Sequence, residues 1–328
     1  MLRFVDHFVA RLPISVGLFS FIVSVHVHAA SQIPNLSAIS DSDIRSSAIA
    51  FVNTSTSPGL EGATIQVDTD ERNSEQLRSS LGFGAEFTIK KHIFNGYWSL
   101  AVVGGTLDDR IDVTADTGEQ VVLDISRNVI GLSGSLGLSF PVDQYFKLRP
   151  FISLGVADLR TTTEVDGLPI TDASGETKTL TVLDTSAYIG STTASLDAAY
   201  SRWFNDNRLE MSAQYNLINT ELISGDNSVL NTTAWSQTAM LKARYSGATS
   251  LVTDGRPWRW QAYASHTNFL SFDKASLGYT GLFEIGAGME WHMNIKPLDW
   301  FGWQSIGLSF GVITSRNVEG YNFGLTAR

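Results

Sequence analysis

From Leu277 to Trp291 the odd positions read Leu277, Tyr279, Gly281, Phe283, Ile285, Ala287, Met289 and Trp291, while the even positions carry glycines and the carboxylates Glu284 and Glu290. A period of two sustained over this length is a strand, with an apolar face and a small, polar one. Lipid on one side and a wet lumen on the other require that division; a soluble sheet seldom holds it so long. The same unit recurs along the chain: alternating stretch, short turn, alternating stretch, longer polar loop.

Alternation predicts twelve strands: Leu60–Thr69, Gln76–Lys91, Tyr97–Val113, Val121–Phe140, Tyr145–Val165, Leu180–Trp203, Arg208–Ile223, Thr232–Ala248, Pro257–Leu270, Ser276–His292, Gln304–Thr314 and Val318–Arg328. Turn residues mark 92–96, 141–144, 204–207, 250–256 and 294–301, whereas polar, generally longer connections occupy 114–120, 166–178 and 224–231. Alternating short and long connections suit a barrel with both ends in the periplasm and hence an even strand number. Miscounting one hairpin gives ten or fourteen. The fold class is therefore all-β: a transmembrane antiparallel up-and-down barrel of twelve strands behind a short non-β segment.

Composition agrees and excludes other classes. Of 328 residues only 17% are charged, 11% are aromatic, and there are 28 glycines but 8 prolines. Cysteine is absent, which rules out disulfides, thiolate nucleophiles and zinc–sulfur sites. A net charge of −10 argues against nucleic-acid binding. No stretch beyond residue 30 approaches the roughly 18 apolar residues of a spanning helix.

Arg3 and Arg11 flank an apolar run from Ile14 to Val27, followed by Val27-His28-Ala29, a small-x-Ala cleavage signal. The organisation predicted is a signal peptide over 1–29, an N-terminal segment over 30–59 and a barrel over 60–328, located in the cell outer membrane. In residues 30–59, Leu36, Ile39, Ile44, Ala48 and Val52 recur near helical spacing, with Ser37 and Asp41 as caps, before Thr54–Gly59 breaks the pattern. A helix plugging the lumen and a short periplasmic tail both fit.

Trp98, Trp203, Trp258, Trp260, Trp291, Trp300 and Trp303, with Phe204 and Phe301, cluster beside the short turns. Amphipathic rings at one headgroup level form a girdle, whereas a soluble sandwich buries tryptophan mid-strand.

The inward positions predicted to line the lumen include charges of both signs: Glu86, Lys90, Lys147, Arg149, Asp197, Glu210, Lys242, Arg244, Arg259, Glu284 and Glu290. Such a set either filters solutes or neutralises itself by pairing, and mixed signs favour pairing. Asp108, Asp109, Asp112, Asp116, Glu119 and Asp124 surround one outer loop and Glu164, Asp166, Asp172, Glu176 and Asp184 another. Their spacing matches no calcium loop, so a solvated outer face is expected, with no metal and no cofactor. Ser265-His266-Thr267-Asn268 approaches the His-x-Ser arrangement of outer-membrane lipases, but Asn268 stands where the nucleophile belongs and cannot attack. A rim protease built from Asp108, Asp109 and His266 has no spacing to support it. No catalytic residue is assigned.

A signal peptide, a short non-β segment and twelve strands running to Tyr321-Asn322-Phe323-Gly324-Leu325-Thr326-Ala327-Arg328 resemble the autotransporter translocator domain, and most closely solitary outer-membrane autotransporter-like barrels. The resemblance covers roughly 60–328. It implies that 36–52 is the helix left in the pore. It also implies that the last strand, ending on Arg328 instead of phenylalanine, is read by the barrel-assembly machinery. Outer-membrane lipids and lipopolysaccharide are the expected surroundings of a monomer without a sizeable passenger. An open small-solute channel and an outer-membrane hydrolase are the alternatives.

Overall fold

The computed structural model describes residues 41–56, 63–69, 72–90, 93–114, 120–171, 177–225, 233–271, 278–293 and 305–327. The predicted signal peptide, Trp300, Phe301 and Trp303 lie outside these. One helix, α1 (Asp41–Thr56), precedes twelve strands: β1 (Ala63–Thr69), β2 (Arg72–Lys90), β3 (Phe94–Thr114), β4 (Gln120–Pro141), β5 (Phe146–Thr171), β6 (Thr177–Phe204), β7 (Asn207–Gly225), β8 (Thr233–Thr253), β9 (Arg256–Phe269), β10 (Gly281–His292), β11 (Ser305–Ser315) and β12 (Val318–Ala327). Every strand pairs antiparallel with its sequence neighbours, and β1 pairs with β12, closing the ring. The pairing of β1 with β12 makes the sheet a ring instead of an open sheet with two edge strands.

The outward face is apolar to a degree that water does not tolerate. Leu136 is 71% exposed, Phe323 69%, Leu154 64% and Ile130 62%, and they continue into a belt with Leu81, Val102, Ile152, Leu241, Ile285 and Phe310. A belt of this kind belongs against lipid. No described helix is long and apolar enough to cross a membrane. The strands cross, and the protein is an outer-membrane β-barrel.

Wall height is uneven. β5 and β6 are 26 and 28 residues long, far beyond the roughly 9–11 residues needed to cross a bilayer. The stretch 166–178, expected to be loop, is largely their continuation: pairing resumes at Ile170↔Lys178 and Thr171↔Thr177 beyond a register shift. On the other side of the ring, β10, β11 and β12 have 12, 11 and 10 residues, close to a single crossing. β1 has 7, and its seam with β12 runs only from Thr64↔Tyr321 to Val67↔Val318.

Two departures from the sequence reading have clear causes. The tenth strand begins at Gly281, not Ser276, because Gly278 takes φ +78° and turns the chain before the ladder starts. Tyr279, read as one of the lipid-facing odd positions, is consequently folded inward and 3% exposed. The turn read over 250–256 narrows to Asp254-Gly255. Both residues have positive φ (52° and 72°), the geometry of a tight I′ hairpin, and β8 runs on to Thr253.

Helix α1 touches β2, β3, β4, β5, β7 and β8, strands from different sides of the ring, and so lies within it. Its helical conformation continues past the break expected at Thr54, and there Thr54 and Thr56 donate their hydroxyls to the carbonyls of Phe51 and Val52 at 2.9 Å. Ala48, Phe51 and Val52 pack on Leu107, Val129, Leu159 and Ile189. Ala50 packs with Ile65, Phe269, Tyr279, Leu282 and Ile313. All these wall residues lie in the half of the ring away from the short turns.

Candidate functional site: the barrel interior

The interior divides into two storeys. In the upper one, toward the long loops, α1 is held by side chains from the wall as well as by apolar packing. Asn53, fully buried, donates Nδ2 to Ser236 Oγ of β8 at 2.8 Å and accepts from Thr220 Oγ1 of β7 at 2.6 Å. Gln76 of β2 donates to Thr54 Oγ1 at 3.3 Å, and Arg78 donates to the Thr54 carbonyl at 3.4 Å. Tyr279 donates its phenol to Gln76 Oε1 at 2.8 Å, linking the β9–β10 connection to the same network. Close approach of helix and wall depends on Gly105, where an added Cβ would stand 3.1 Å from Ser55 Oγ.

The lower storey is a belt of ion pairs near the short turns, where alternation brings inward charges together from neighbouring strands and, across the lumen, from non-adjacent ones. Glu86 of β2 accepts from Lys147 (2.6 Å) and Arg149 (2.8 Å) of β5, and Arg149 also reaches Asp197 of β6 at 3.4 Å. Arg244 of β8 binds Glu210 of β7, reaches Glu290 of β10 at 3.4 Å, and donates to Gln261 of β9 at 2.9 Å. Arg208, absent from the predicted set, pairs with Glu210 at 3.1 Å, and His292 lies 3.7 Å from Glu290.

The other predicted positions make quieter contacts. Arg259 donates to the carbonyls of Asp206 (2.9 Å) and Ser246 (3.3 Å) and stacks over Trp203. Glu284 accepts from Tyr263 (2.7 Å), Asn322 (2.9 Å) and Ser265 (3.4 Å), tying β9, β10 and β12. Lys242 stands 5.4 Å from the Tyr263 ring centroid, and Lys90 is exposed at the end of β2.

The described tryptophans of the predicted girdle sit on strand ends at the short-turn rim. Trp258 and Trp291 stack with centroids 6.5 Å apart, and both indole N–H groups bond Thr253. Trp98 meets Phe83 edge-on, Trp260 meets Tyr245 in the same way, and Trp203 is exposed. Trp235, outside the predicted set, is exposed near the opposite rim at the start of β8.

Asp109 is misplaced by the sequence reading. It does not belong to a solvated outer loop with its neighbours: it lies within β3, 3% exposed, and accepts from Arg72 Nε and Nη2 (2.7 and 2.5 Å) and Ser74 Oγ (2.5 Å). Asp108, one residue back, faces outward and accepts from Ser126 at 2.6 Å. His266 lines a shallow outward groove with Leu241, Ala243, Ala264 and Phe283. Asp109, committed to Arg72, faces the interior. Among the described residues no three His, Asp or Glu side chains converge to hold a metal ion.

The pins of α1 were not singled out from sequence, because polar residues such as Asn53, Thr220 and Ser236 carry no mark of what they will face. Arg127 was legible in principle. It shares its parity with the inward Gly131, Ser133 and Ser135, and it is 1% exposed.

No protein-family model matches the chain, and no curated protein matches it in sequence. Its ring resembles the beta domain of the Bordetella autotransporter BrkA, at 15% identity over 80% of this chain and 94% of that one, with TM-score 0.47. It also resembles the translocator domain of NalP from Neisseria meningitidis, at 12% identity over 91% and 100%, with TM-score 0.48. A third likeness is to the transport unit of AIDA-I from Escherichia coli, at 9% identity over 87% and 98%, with TM-score 0.46. These are distant likenesses of barrel architecture.

Proposed function

We propose that the chain is a non-enzymatic, translocator-like outer-membrane barrel whose lumen is occluded by its own N-terminal segment, and that it works as a closed monomer and not as an open pore. The observation that carries this is the burial of α1: Phe51 and Asn53 have no solvent exposure, inside a ring only twelve strands around. The charged residues of the lower storey line the lumen and neutralise one another there. Opposite signs at hydrogen-bonding distance serve internal pairing better than selection of a passing ion. The tryptophans of the short-turn rim take the periplasmic headgroup level, with lipid around the belt and lipopolysaccharide at the outer rim. The C-terminal strand is the segment that the barrel-assembly machinery engages.

Conductance tests the reading. Full-length protein in a planar bilayer is expected to stay closed, and deletion of residues 30–56 to produce steady openings. Large steady openings of the full-length protein would instead favour a passive small-solute channel. A deletion that leaves conductance unchanged would remove the plug from the account. Lipase and protease assays on refolded protein, with His266→Ala beside it, are expected to show no activity; a signal lost in that variant would restore the hydrolase.

A further inference from the structure

The short-turn rim holds a cation that the ion-pair belt does not use. Arg202 lies on the outward face of β6, in line with Leu196, Ala198 and Tyr200, and is exposed near the strand's end at Phe204. Its guanidinium packs on two rings, 5.0 Å from the Tyr145 centroid and 4.9 Å from that of Phe204. Among the described residues no carboxylate pairs with it. Asp143, in the adjoining turn, accepts instead from the backbone N–H groups of Tyr145 and Phe146. Arg208, Arg256 and Arg259 of the same rim are taken up by Glu210 and by backbone carbonyls. A guanidinium stacked on aromatic rings is a pre-oriented donor for phosphate.

Next to Arg202 the lipid-facing wall is hollowed. Ala198 of β6 pairs with Ala213 of β7, and one row nearer the short turns Ala243 of β8 pairs with Ala264 of β9. Taller side chains flank this step. Met211 rises from β7 on the short-turn side, and Leu241 and Phe283 rise from β8 and β10 on the long-loop side, all three exposed. Between them runs an apolar groove of about 530 Å³. It starts at Tyr200, two positions before Arg202, and crosses to His266, close to the far end of β9 at Phe269. Tyr145 joins the two features, since its ring also stands 6.2 Å from that of Tyr200.

We propose that Arg202 and this groove form a binding site for one anionic glycerophospholipid of the membrane. The guanidinium fork takes the phosphate, and one acyl chain lies in the groove. The alanines leave room for the chain between taller neighbours, so it gains contact on its flanks as well as its underside. The inference rests on the periplasmic placing of the short-turn rim only for the leaflet that supplies the lipid.

The test uses full-length protein refolded in detergent micelles and titrated with phosphatidylglycerol, with diacylglycerol and with glycerol phosphate, bound species being counted by native mass spectrometry. One phosphatidylglycerol per chain is expected to be retained, with diacylglycerol and glycerol phosphate each held about tenfold more weakly. Arg202→Gln is expected to weaken phosphatidylglycerol retention about tenfold, and Arg202→Lys less. Ala213→Leu combined with Ala243→Leu fills the groove from the lipid side and should weaken retention several-fold. Retention unchanged by Arg202→Gln or by the filled groove, or diacylglycerol held as well as phosphatidylglycerol, overturns the proposal. Should a variant fail to refold, the three probes on the unaltered protein decide. The leaflet is tested apart, because the chain has no cysteine of its own. Arg202→Cys in whole cells is expected to escape a bulky, membrane-impermeant thiol reagent; labelling from outside would overturn the periplasmic leaflet and leave the binding result intact.

Discussion

Thr220 donates its hydroxyl to Asn53 Oδ1 at 2.6 Å, joining α1 to the wall across 167 positions of sequence. Both residues are almost fully buried, so neither has water to fall back on. Asn53→Leu leaves the Thr220 and Ser236 hydroxyls without their partner, at an expected cost of about 1–3 kcal/mol. Adding Thr220→Val and Ser236→Ala removes the orphaned groups and should recover much of that loss. Urea unfolding of refolded protein in micelles measures both. A triple variant no better than the single one would show that packing, not hydrogen bonding, dominates here.

Phe51 makes the apolar half of the same seat. Its ring has no exposure and packs on β3, β4 and β5. Phe51→Ala should cost about 3–5 kcal/mol through lost burial and the cavity left behind. If the helix is what closes the lumen, the same variant should flicker open in bilayer recordings while the barrel keeps its heat-modifiable mobility in gels.

The two ion-pair groups should respond unequally to mutation. Arg244 is 7% exposed at its side chain and stands between Glu210 and Glu290. Arg244→Met removes the buried cation between those two carboxylates and leaves them their contacts with Arg208 and His292, a loss of about 3–5 kcal/mol for a buried pair broken on one side. The Glu86 cluster is wetter, with the Lys147 side chain 38% exposed, so Glu86→Gln should cost about 0–1 kcal/mol and less in high salt. Equal effects would argue that the lower storey is hydrated throughout.

Tyr279 supplies a pH signature. Burial pushes its phenol up to about 12, with Arg78 and Arg72 pulling the other way. An unfolded tyrosine titrates near 10. Between these values the unfolded chain gives up its proton and the folded one keeps it. Stability held below about pH 10 is therefore lost as the pH climbs toward 12. Tyr279→Phe should flatten that decline, and the difference in tyrosinate absorbance between the two proteins should appear only near pH 12.

Gly320 guards the seam. Opposite Ile65 in the β1–β12 ladder, it leaves 2.3 Å between an imagined Cβ and the Thr64 carbonyl oxygen, a backbone atom that cannot step aside. Gly320→Val should block closure and yield protein without heat-modifiable mobility. Val318→Ala, in the same seam, should close with reduced stability.

How far the sequence could be read follows from what alternation encodes. It records which face a side chain takes, and so it foretold the twelve strands; the ring sets two of the positions read as inward, Arg244 and Glu290, 3.4 Å apart. It is blind to where a strand stops being membrane and becomes protruding hairpin, because β5 and β6 keep pairing beyond the bilayer over residues that look like loop. It also misled at Tyr279, whose parity says lipid, because the positive φ of Gly278 resets the direction of the chain. Asp109 was hidden by context of another kind. Charges near a loop read as solvated, and only the ring shows Arg72 turned toward Asp109.

The short seam also governs the order of assembly. β1 and β12 come from opposite ends of the barrel sequence, so their meeting is the longest-range contact the chain must make and the one expected last. α1 ends at Thr56 and β1 begins at Ala63, a tether of a few residues between the helix and the closing strand. A helix so tethered is expected to reach its seat before the last ladder forms, which would make closing the wall and filling it one kinetic event.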